Sequence, residues 1–543
     1  MSGPLRNKQG CWTCRLRKKK CDERHPQCSN CEYLSITCYG FGPKPEWMDN
    51  GEKEREIINS LKEIVRHTSR RKTLTRPSEQ RETPIRIKPK AVSVAVKVDL
   101  TSDSALHQEH GKNSGHATDV TGNLDHSDNT KHGSLLSLST DISVLLVHFI
   151  DHVLPLQYPY YQPEAAAGGK GWLLTLLSES KPLYHAVLAS AACHRRTLAL
   201  SEADRVVLSV QQEEHLKDCL ESINVAAQGG CPKSGLGVWA GITQAMFFEL
   251  FNNHGHAWQA HLRAAINIFL RSERKNFASF GLSKQTRWIL SADLGLPEDD
   301  PVIAREVVCF RFLSSTLVWL DIASSITMGI TPLLLSHHPR ILSTGSQVQL
   351  RNIMGCENWV LLQIARISEL HKTKSSAPKS GQSDPAQLEL ITSDISLMIQ
   401  SGLSHMSVRS SSLNLSLPTY PHAVVTQMYA YMAVIYLHLV TNAFERLDLL
   451  DSTINSAMKV LQTQLSIQEL STLIGPLSFV GIVSKPSDRH FFLDTLSTPP
   501  VLNPFLNHRR HILPILEKVW ATRGVPGFTW TECVELLKDI LLV

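Results

Sequence analysis

Six cysteines lie within the first forty residues: Cys11, Cys14, Cys21, Cys28, Cys31 and Cys38. Their spacing, C-x2-C-x6-C-x6-C-x2-C-x6-C, is two tandem copies of C-x2-C-x6-C. A C-x2-C pair lets two thiolates reach one ion from the start of a helix. A third cysteine, one pass later, closes that side. Six sulfurs fall short of the eight that two separate tetrahedral zinc sites need, but they suffice if two of them bridge. The arithmetic favours a binuclear cluster.

The residues between the ligands point to nucleic acid. Cys14 and Cys21 enclose Arg15, Leu16, Arg17, Lys18, Lys19 and Lys20, five of the six basic, on an expected short helix held at one end by metal. The matching segment of the second half, residues 32–37, holds no basic residue. The two halves are alike in ligand spacing and unlike in charge. One is suited to phosphates and base edges, the other to buttressing it. A charge run alone is more often a solvated face or an import signal; the six-cysteine frame around this one argues otherwise.

This pattern resembles the fungal six-cysteine binuclear zinc cluster family of transcription regulators. The resemblance is carried by the six cysteines, the Arg-Leu-Arg-Lys-Lys-Lys run and Pro26 between the halves. It implies two zinc ions, with Cys11 and Cys28 as bridging thiolates. One ion would take Cys11, Cys14, Cys21 and Cys28, and the other Cys11, Cys28, Cys31 and Cys38. It also implies that Lys18 reads a CGG-type triplet in the major groove, with half-site spacing set by any dimer.

The elements that must position this module follow from the rest of the chain. At 543 residues, 42% of them hydrophobic, the chain is long enough for more than one domain. Charge is uneven. Residues 1–100 hold 22 Lys and Arg against 12 Asp and Glu, and the remainder 33 against 38. Basic charge therefore gathers at the N-terminal end, as a DNA footprint requires. The other six cysteines (Cys193, Cys219, Cys231, Cys309, Cys356, Cys533) show no ligand spacing and read as buried free thiols of a reducing compartment. Met1 to Gly10 is polar, which gives no expectation of a secretory signal.

The expected order is a zinc cluster over 8–42, a connector and short amphipathic helix over 43–72, a disordered linker over 73–138 and an all-helical regulatory domain over 139–543. In the connector helix, Ile57, Leu61, Ile64 and Val65 share a face, with acidic residues early and basic residues late. That register lasts two heptads, short of the three or four of a coiled coil. A stable dimer would therefore have to come from elsewhere. Residues 73–138 are polar and carry Pro77, Pro84 and Pro89, with a short β-like alternation over 92–98. From Thr140 apolar residues recur at three- and four-residue spacing, as in Ile142, Leu145, Leu146, Phe149, Ile150 and Val153. Strand-type alternation is scarce, so the fold class is mostly α. The Ser-, Gly- and Lys-rich stretches 373–384 and 403–417 read as surface loops. A further resemblance, to one subgroup of fungal regulators, rests on Pro45-Glu46-Trp47-Met48-Asp49, Gly171-Trp172-Leu173-Leu174, Lys181-Pro182-Leu183-Tyr184-His185-Ala186, His194-Arg195, and Trp258, His261 and Leu262. These are mainly packing residues.

Several lookalikes fail. Residues 423–441 are long and apolar enough to span a bilayer, but Thr426, Gln427, Tyr429, Tyr431, Tyr436 and His438 fit a central core helix better, so no membrane is expected. His254, His256 and His261, the pair His337 and His338, and His508 with His511 lack the spacing of a ligand set. Gly168-Gly169-Lys170-Gly171 lacks the first glycine and the Ser or Thr of a phosphate loop. No catalytic constellation appears.

The reading is a nuclear, zinc-dependent, sequence-specific DNA-binding regulator of RNA polymerase II genes, and not an enzyme. Arg15, Arg17, Lys18, Lys19 and Lys20 carry DNA contact. Its partners would be double-stranded DNA, the transcription machinery or co-regulators, and in some settings a second copy. Whether a small molecule acts on the helical domain is open. The competing reading is a scaffold whose zinc module docks protein rather than reading DNA sequence.

Overall fold

Apolar spacing of three and four residues folds as helix throughout the long C-terminal part of the chain. The computed structural model describes residues 10–51 and 140–543. Excepted are Lys18, Lys20, Pro26, 34–36, 46–47 and 49–50 in the first stretch. In the second they are 164–167, 229–234, 253–254, 275–276, 278–279, 281, 293, 295–299, 344, 381–384 and 413–420. The two stretches lie in separate units, divided between Val92 and Ser93. The connector helix, the linker with its β-like alternation, Cys231 and His254 lie outside the described residues. Among those described there is no strand.

The helical unit is organised by a few long elements. Lys181–Leu198 and Glu202–Gln228 form an antiparallel hairpin across the three-residue link Ala199–Ser201. Ser180 caps the first of these, its hydroxyl accepting from the Leu183 N–H at 3.3 Å, with Pro182 in the first turn where its missing N–H costs nothing. The hairpin's first helix packs on Gly235–Phe251, whose residues are nearly all buried. Gly241 makes that crossing possible: a Cβ there would lie 2.6 Å from the Pro182 Cβ and 2.8 Å from the Leu183 nitrogen. Trp239, on the same helix, stacks on Phe280 at 4.9 Å beside Phe269 and Phe310. Each such ring, fully buried, stabilises the fold by about 1.5–3 kcal/mol before entropy is counted.

The longest core helix, Pro301–Met328, starts at Asp300, whose carboxylate accepts from the Val302 and Ile303 N–H groups at 3.0 and 3.2 Å. It stops at Gly329, whose φ of 60° suits the left-handed cap. It and His422–Asn442 are the two helices among the described residues long and apolar enough to cross a membrane, and both are mostly buried within the unit. In the second, several polar residues are satisfied internally, while the buried His422 Nδ1 has no hydrogen-bond partner. The Thr426 hydroxyl donates to His422 O at 2.6 Å and accepts from Glu357 N at 3.2 Å, and Tyr436 Oη meets Ser368 Oγ at 3.2 Å. A core helix, as expected, accounts for them.

Two expectations need correcting. The stretches read as loops at 373–384 and 403–417 begin as helix: Asn358–Ser380 runs through the first, and Pro385–Ser412 through the second. Their hydroxyls bond back to the helix that carries them, Thr373 to Glu369 O at 2.9 Å and Ser404 to Gln400 O at 2.9 Å, so serine and threonine there do not break it. Lys374 is used as well, its Nζ donating to Val440 O and Thr441 O at 3.0 and 3.1 Å, at the negative end of Pro421–Asn442. The helix Ile474–Val483, absent from the sequence reading, is buried all round and so shows no period to read.

Candidate metal centre and nucleic-acid interface

The tandem cysteine repeat produces a repeated local structure. Cys11 caps the helix Trp12–Leu16, its sulfur accepting from the Cys14 N–H at 3.4 Å. Cys28 does the same before the helix Ser29–Tyr33, accepting from the Cys31 N–H at 3.4 Å. Cys21 accepts from the N–H groups of Cys11 and Glu23 at 3.4 and 3.5 Å. N–H groups aimed at sulfur are what a thiolate ligand attracts.

The sulfurs converge. Cys11 Sγ is 3.6 Å from Cys28 Sγ and 3.8 Å from Cys31 Sγ, and Cys14 Sγ is 3.6 Å from Cys28 Sγ. Two four-sulfur groups result, Cys11, Cys14, Cys21, Cys28 and Cys11, Cys28, Cys31, Cys38, each with all its sulfurs within 4.8 Å of one another. Cys11 and Cys28 belong to both. All six thiols are free. Disulfides would hold sulfurs about 2.05 Å apart, whereas tetrahedral zinc with bonds of about 2.3 Å separates its sulfurs by about 3.8 Å. The donor set therefore fits a thiolate-bound metal cluster. Burial pushes the Cys11, Cys14 and Cys31 thiols well above their usual range, with neighbouring cysteines adding to the effect. Burial acts the same way on Cys21 and Cys38, but hydrogen bonds, led by backbone N–H groups, bring both below it. Holding these sulfurs as thiolates in so small a volume requires cationic compensation, which a divalent metal supplies.

A polar lock closes the loop behind the cysteines. Thr13, fully buried, donates its hydroxyl to Thr37 O at 2.8 Å and accepts from Tyr39 N at 2.9 Å. Trp12 N donates to Gly40 O at 2.9 Å and Trp12 Nε1 to Gly42 O at 2.8 Å. Sequence reasoning missed both residues, since nothing marks a lone Thr or Trp between two cysteines as a clamp.

The described basic residues of the first half reach solvent to different degrees. Arg15 is exposed on the helix, its guanidinium 3.9 Å from the Trp12 ring centroid. Arg17 is half-buried at the helix C-terminus and Lys19 is exposed beyond it. Lys18 and Lys20 lie outside the described residues. The expected helix over the whole basic run is corrected here. It begins before Cys14 and ends at Leu16, because the chain must turn back to bring Cys21 to the shared sulfurs.

Several of the histidine lookalikes have other partners. His256 Nδ1 meets Asp539 at 3.0 Å, His337 Nδ1 meets Glu273 at 2.9 Å, and His508 Nε2 lies 3.4 Å from Val543 O. Cys193, Cys219, Cys309, Cys356 and Cys533 are buried free thiols. Gly168 opens a turn in which Gly171 N donates to its carbonyl, and Lys170 Nζ donates to Ile150 O at 3.1 Å.

A small sulfur-rich module with exposed cations, followed by a large helical unit, defines a metal-binding protein suited to a polyanionic partner. Comparison with known proteins makes the class specific. Residues 9–47 match the fungal Zn(2)-Cys(6) binuclear cluster domain, and residues 144–543 the fungal specific transcription factor domain. The chain belongs to this family of fungal zinc-cluster transcription regulators. It is 39% identical to the pestheic acid cluster transcriptional regulator 3 of Pestalotiopsis fici, over 99% of this chain and 98% of that one. It is 25% identical to the ustiloxin B cluster transcription factor ustR of Aspergillus flavus over the full length of both. Similarity also extends to the trichothecene biosynthesis transcription regulator TRI10 of Trichoderma arundinaceum, 23% identical over 72% of this chain and 94% of that one. No solved structure matches.

Proposed function

We propose that the chain reads CGG-type triplets in nuclear DNA and regulates RNA polymerase II transcription of a biosynthetic gene cluster. The observation that carries this is the pair of four-sulfur groups sharing Cys11 and Cys28, with Arg15 and Lys19 exposed beside them. Two zinc ions would be held, one by Cys11, Cys14, Cys21 and Cys28 and the other by Cys11, Cys28, Cys31 and Cys38. The ions supply charge and cross-linking to a segment too short to build an apolar core. The residues do the recognition. Cys11 and the Thr13 lock fix the helix start, Trp12 holds the Arg15 guanidinium outward, and Lys18 meets base edges while Arg15, Arg17, Lys19 and Lys20 meet phosphates. The target class rests on relatives whose names state the pestheic acid, ustiloxin B and trichothecene pathways. Co-regulators or a second copy would engage the helical unit.

Binding of duplexes with and without the triplet, at two salt concentrations, tests this reading. Lys18→Ala should cost about 1–3 kcal/mol on the triplet and little on other sequences. Arg15→Ala should weaken all duplexes evenly and shallow the salt dependence. Equal binding to every duplex, or to none, would favour the protein-docking scaffold instead.

A further inference from the structure

The hairpin Lys181–Leu198 and Glu202–Gln228 brings together three side chains that no cysteine-based reading touches. Leu200 stands at the middle of its link, and His185 and His215 lie fifteen residues to either side of it, so the antiparallel path sets them opposite each other. Asp218 is three residues beyond His215 and therefore on the same helix face. His185 Nδ1 is 3.3 Å from His215 Nδ1 and 3.7 Å from Asp218 Oδ2. The three ligand atoms all lie within 4.8 Å of one another.

We propose that His185, His215 and Asp218 form a separate metal site, a two-histidine, one-carboxylate site for a zinc-class divalent ion that staples the helical hairpin.

Tetrahedral zinc with N and O ligands at about 2.0–2.1 Å separates those atoms by about 3.3–3.4 Å, close to the spacing found. A shared N–H between the two rings would explain the nitrogen pair alone. The Asp218 oxygen, 3.7 Å from the same His185 nitrogen, would then share that one proton at a distance beyond a hydrogen bond. A cation satisfies all three atoms together. Imidazole and carboxylate together suit zinc better than the harder magnesium or calcium. Exposure is graded: the His185 side chain is 21% exposed and that of Asp218 49%, so the site opens to solvent on the carboxylate side. Three protein ligands leave a fourth position for water, which makes the ion exchangeable. Because the ligands span two helices, occupancy would favour the packed hairpin over its open forms.

Equilibrium dialysis of the full chain against micromolar free zinc tests the proposal as a difference between variants, in which zinc held by the cysteines cancels. The wild-type chain should bind one equivalent more than His215→Ala or His185→Ala. Asp218→Asn changes only a half-exposed group, so it keeps the comparison valid if a histidine variant folds poorly. It should bind zinc at the site at least tenfold more weakly. Glu221→Gln, outside the three, should match wild type. Added zinc should also slow amide exchange across 211–222 in wild type and not in Asp218→Asn. Equal zinc content in wild type and Asp218→Asn at every free-zinc concentration, with exchange unchanged by zinc, would overturn the site.

Discussion

The two described units of this chain are held together by different physics. In residues 10–51 the buried side chains are chiefly Cys11, Cys14, Cys21, Cys28 and Cys31, and Thr13 and Met48 are also buried. There is almost no hydrocarbon to bury, so metal–sulfur bonds must supply the folding free energy, about 10–16 kcal/mol per structural zinc in small peptides. In residues 140–543 the buried residues are chiefly apolar, with Leu, Ile, Val, Ala and Phe prominent, and five buried cysteines act as small apolar groups. The same residue type is therefore a ligand in one unit and packing in the other. What separates the two roles is spacing in sequence and convergence of sulfurs in space.

The sharpest way to break this comparison is to remove the metal. A zinc chelator should abolish DNA binding and unfold residues 10–51, while helical circular dichroism from the large unit stays nearly unchanged. Loss of most helical signal would show that the units do not stand on separate foundations. Within the module, Cys28→Ala should remove both metal ions, because its sulfur belongs to both four-sulfur groups, whereas Cys38→Ala should spare the group of Cys11, Cys14, Cys21 and Cys28. Metal content measured per chain distinguishes the two.

A large-to-small change in the other unit should do the reverse. Trp239 is fully buried among Phe269, Phe280 and Phe310, so Trp239→Ala should cost about 3–5 kcal/mol of helical-unit stability. Zinc content should be untouched. Denaturant unfolding followed by circular dichroism, with metal analysis in parallel, reads both quantities.

Acid should produce a graded effect. Burial, helped by the neighbouring Arg509, holds His508 down to about 3. That lies below the ordinary histidine value of about 6.5, so the unfolded chain takes up the proton first. Nothing is lost above pH 6.5. Below it, stability falls with pH by at most about 1.4 kcal/mol per unit for this group, until His508 itself protonates near pH 3. His148 and His194, each lowered to about 4 with burial as the main cause, act in the same direction over pH 6.5 to 4. A helical-unit midpoint that stays flat between pH 7 and 5 would contradict this.

The comparison also explains what could be read from sequence. The cysteine spacing is legible, and the six positions it marks are those whose sulfurs converge. Long helices such as Lys181–Leu198 and Pro301–Met328 are legible through their length and first-turn prolines. Ile474–Val483 is not, since a helix buried on every side carries no periodic signal. Residues 373–380 and 403–412 read as loop because their composition is serine-rich, whereas the Thr373, Ser375 and Ser404 hydroxyls donate to carbonyls three and four residues back. The Thr13 lock and the His185–His215 meeting depend on residues brought together from 24 to 30 positions apart, which local pattern cannot report.

The central claim is that a metal-built module gives this chain its sequence preference for DNA. Selection from a random duplex pool by the full-length chain, with and without prior zinc removal, tests it most directly. The account predicts enrichment of a CGG-type triplet by the zinc-loaded chain and no enrichment after chelation, restored when zinc is returned. Recovery of no preferred sequence, or of the same sequence from the chelated chain, would contradict it.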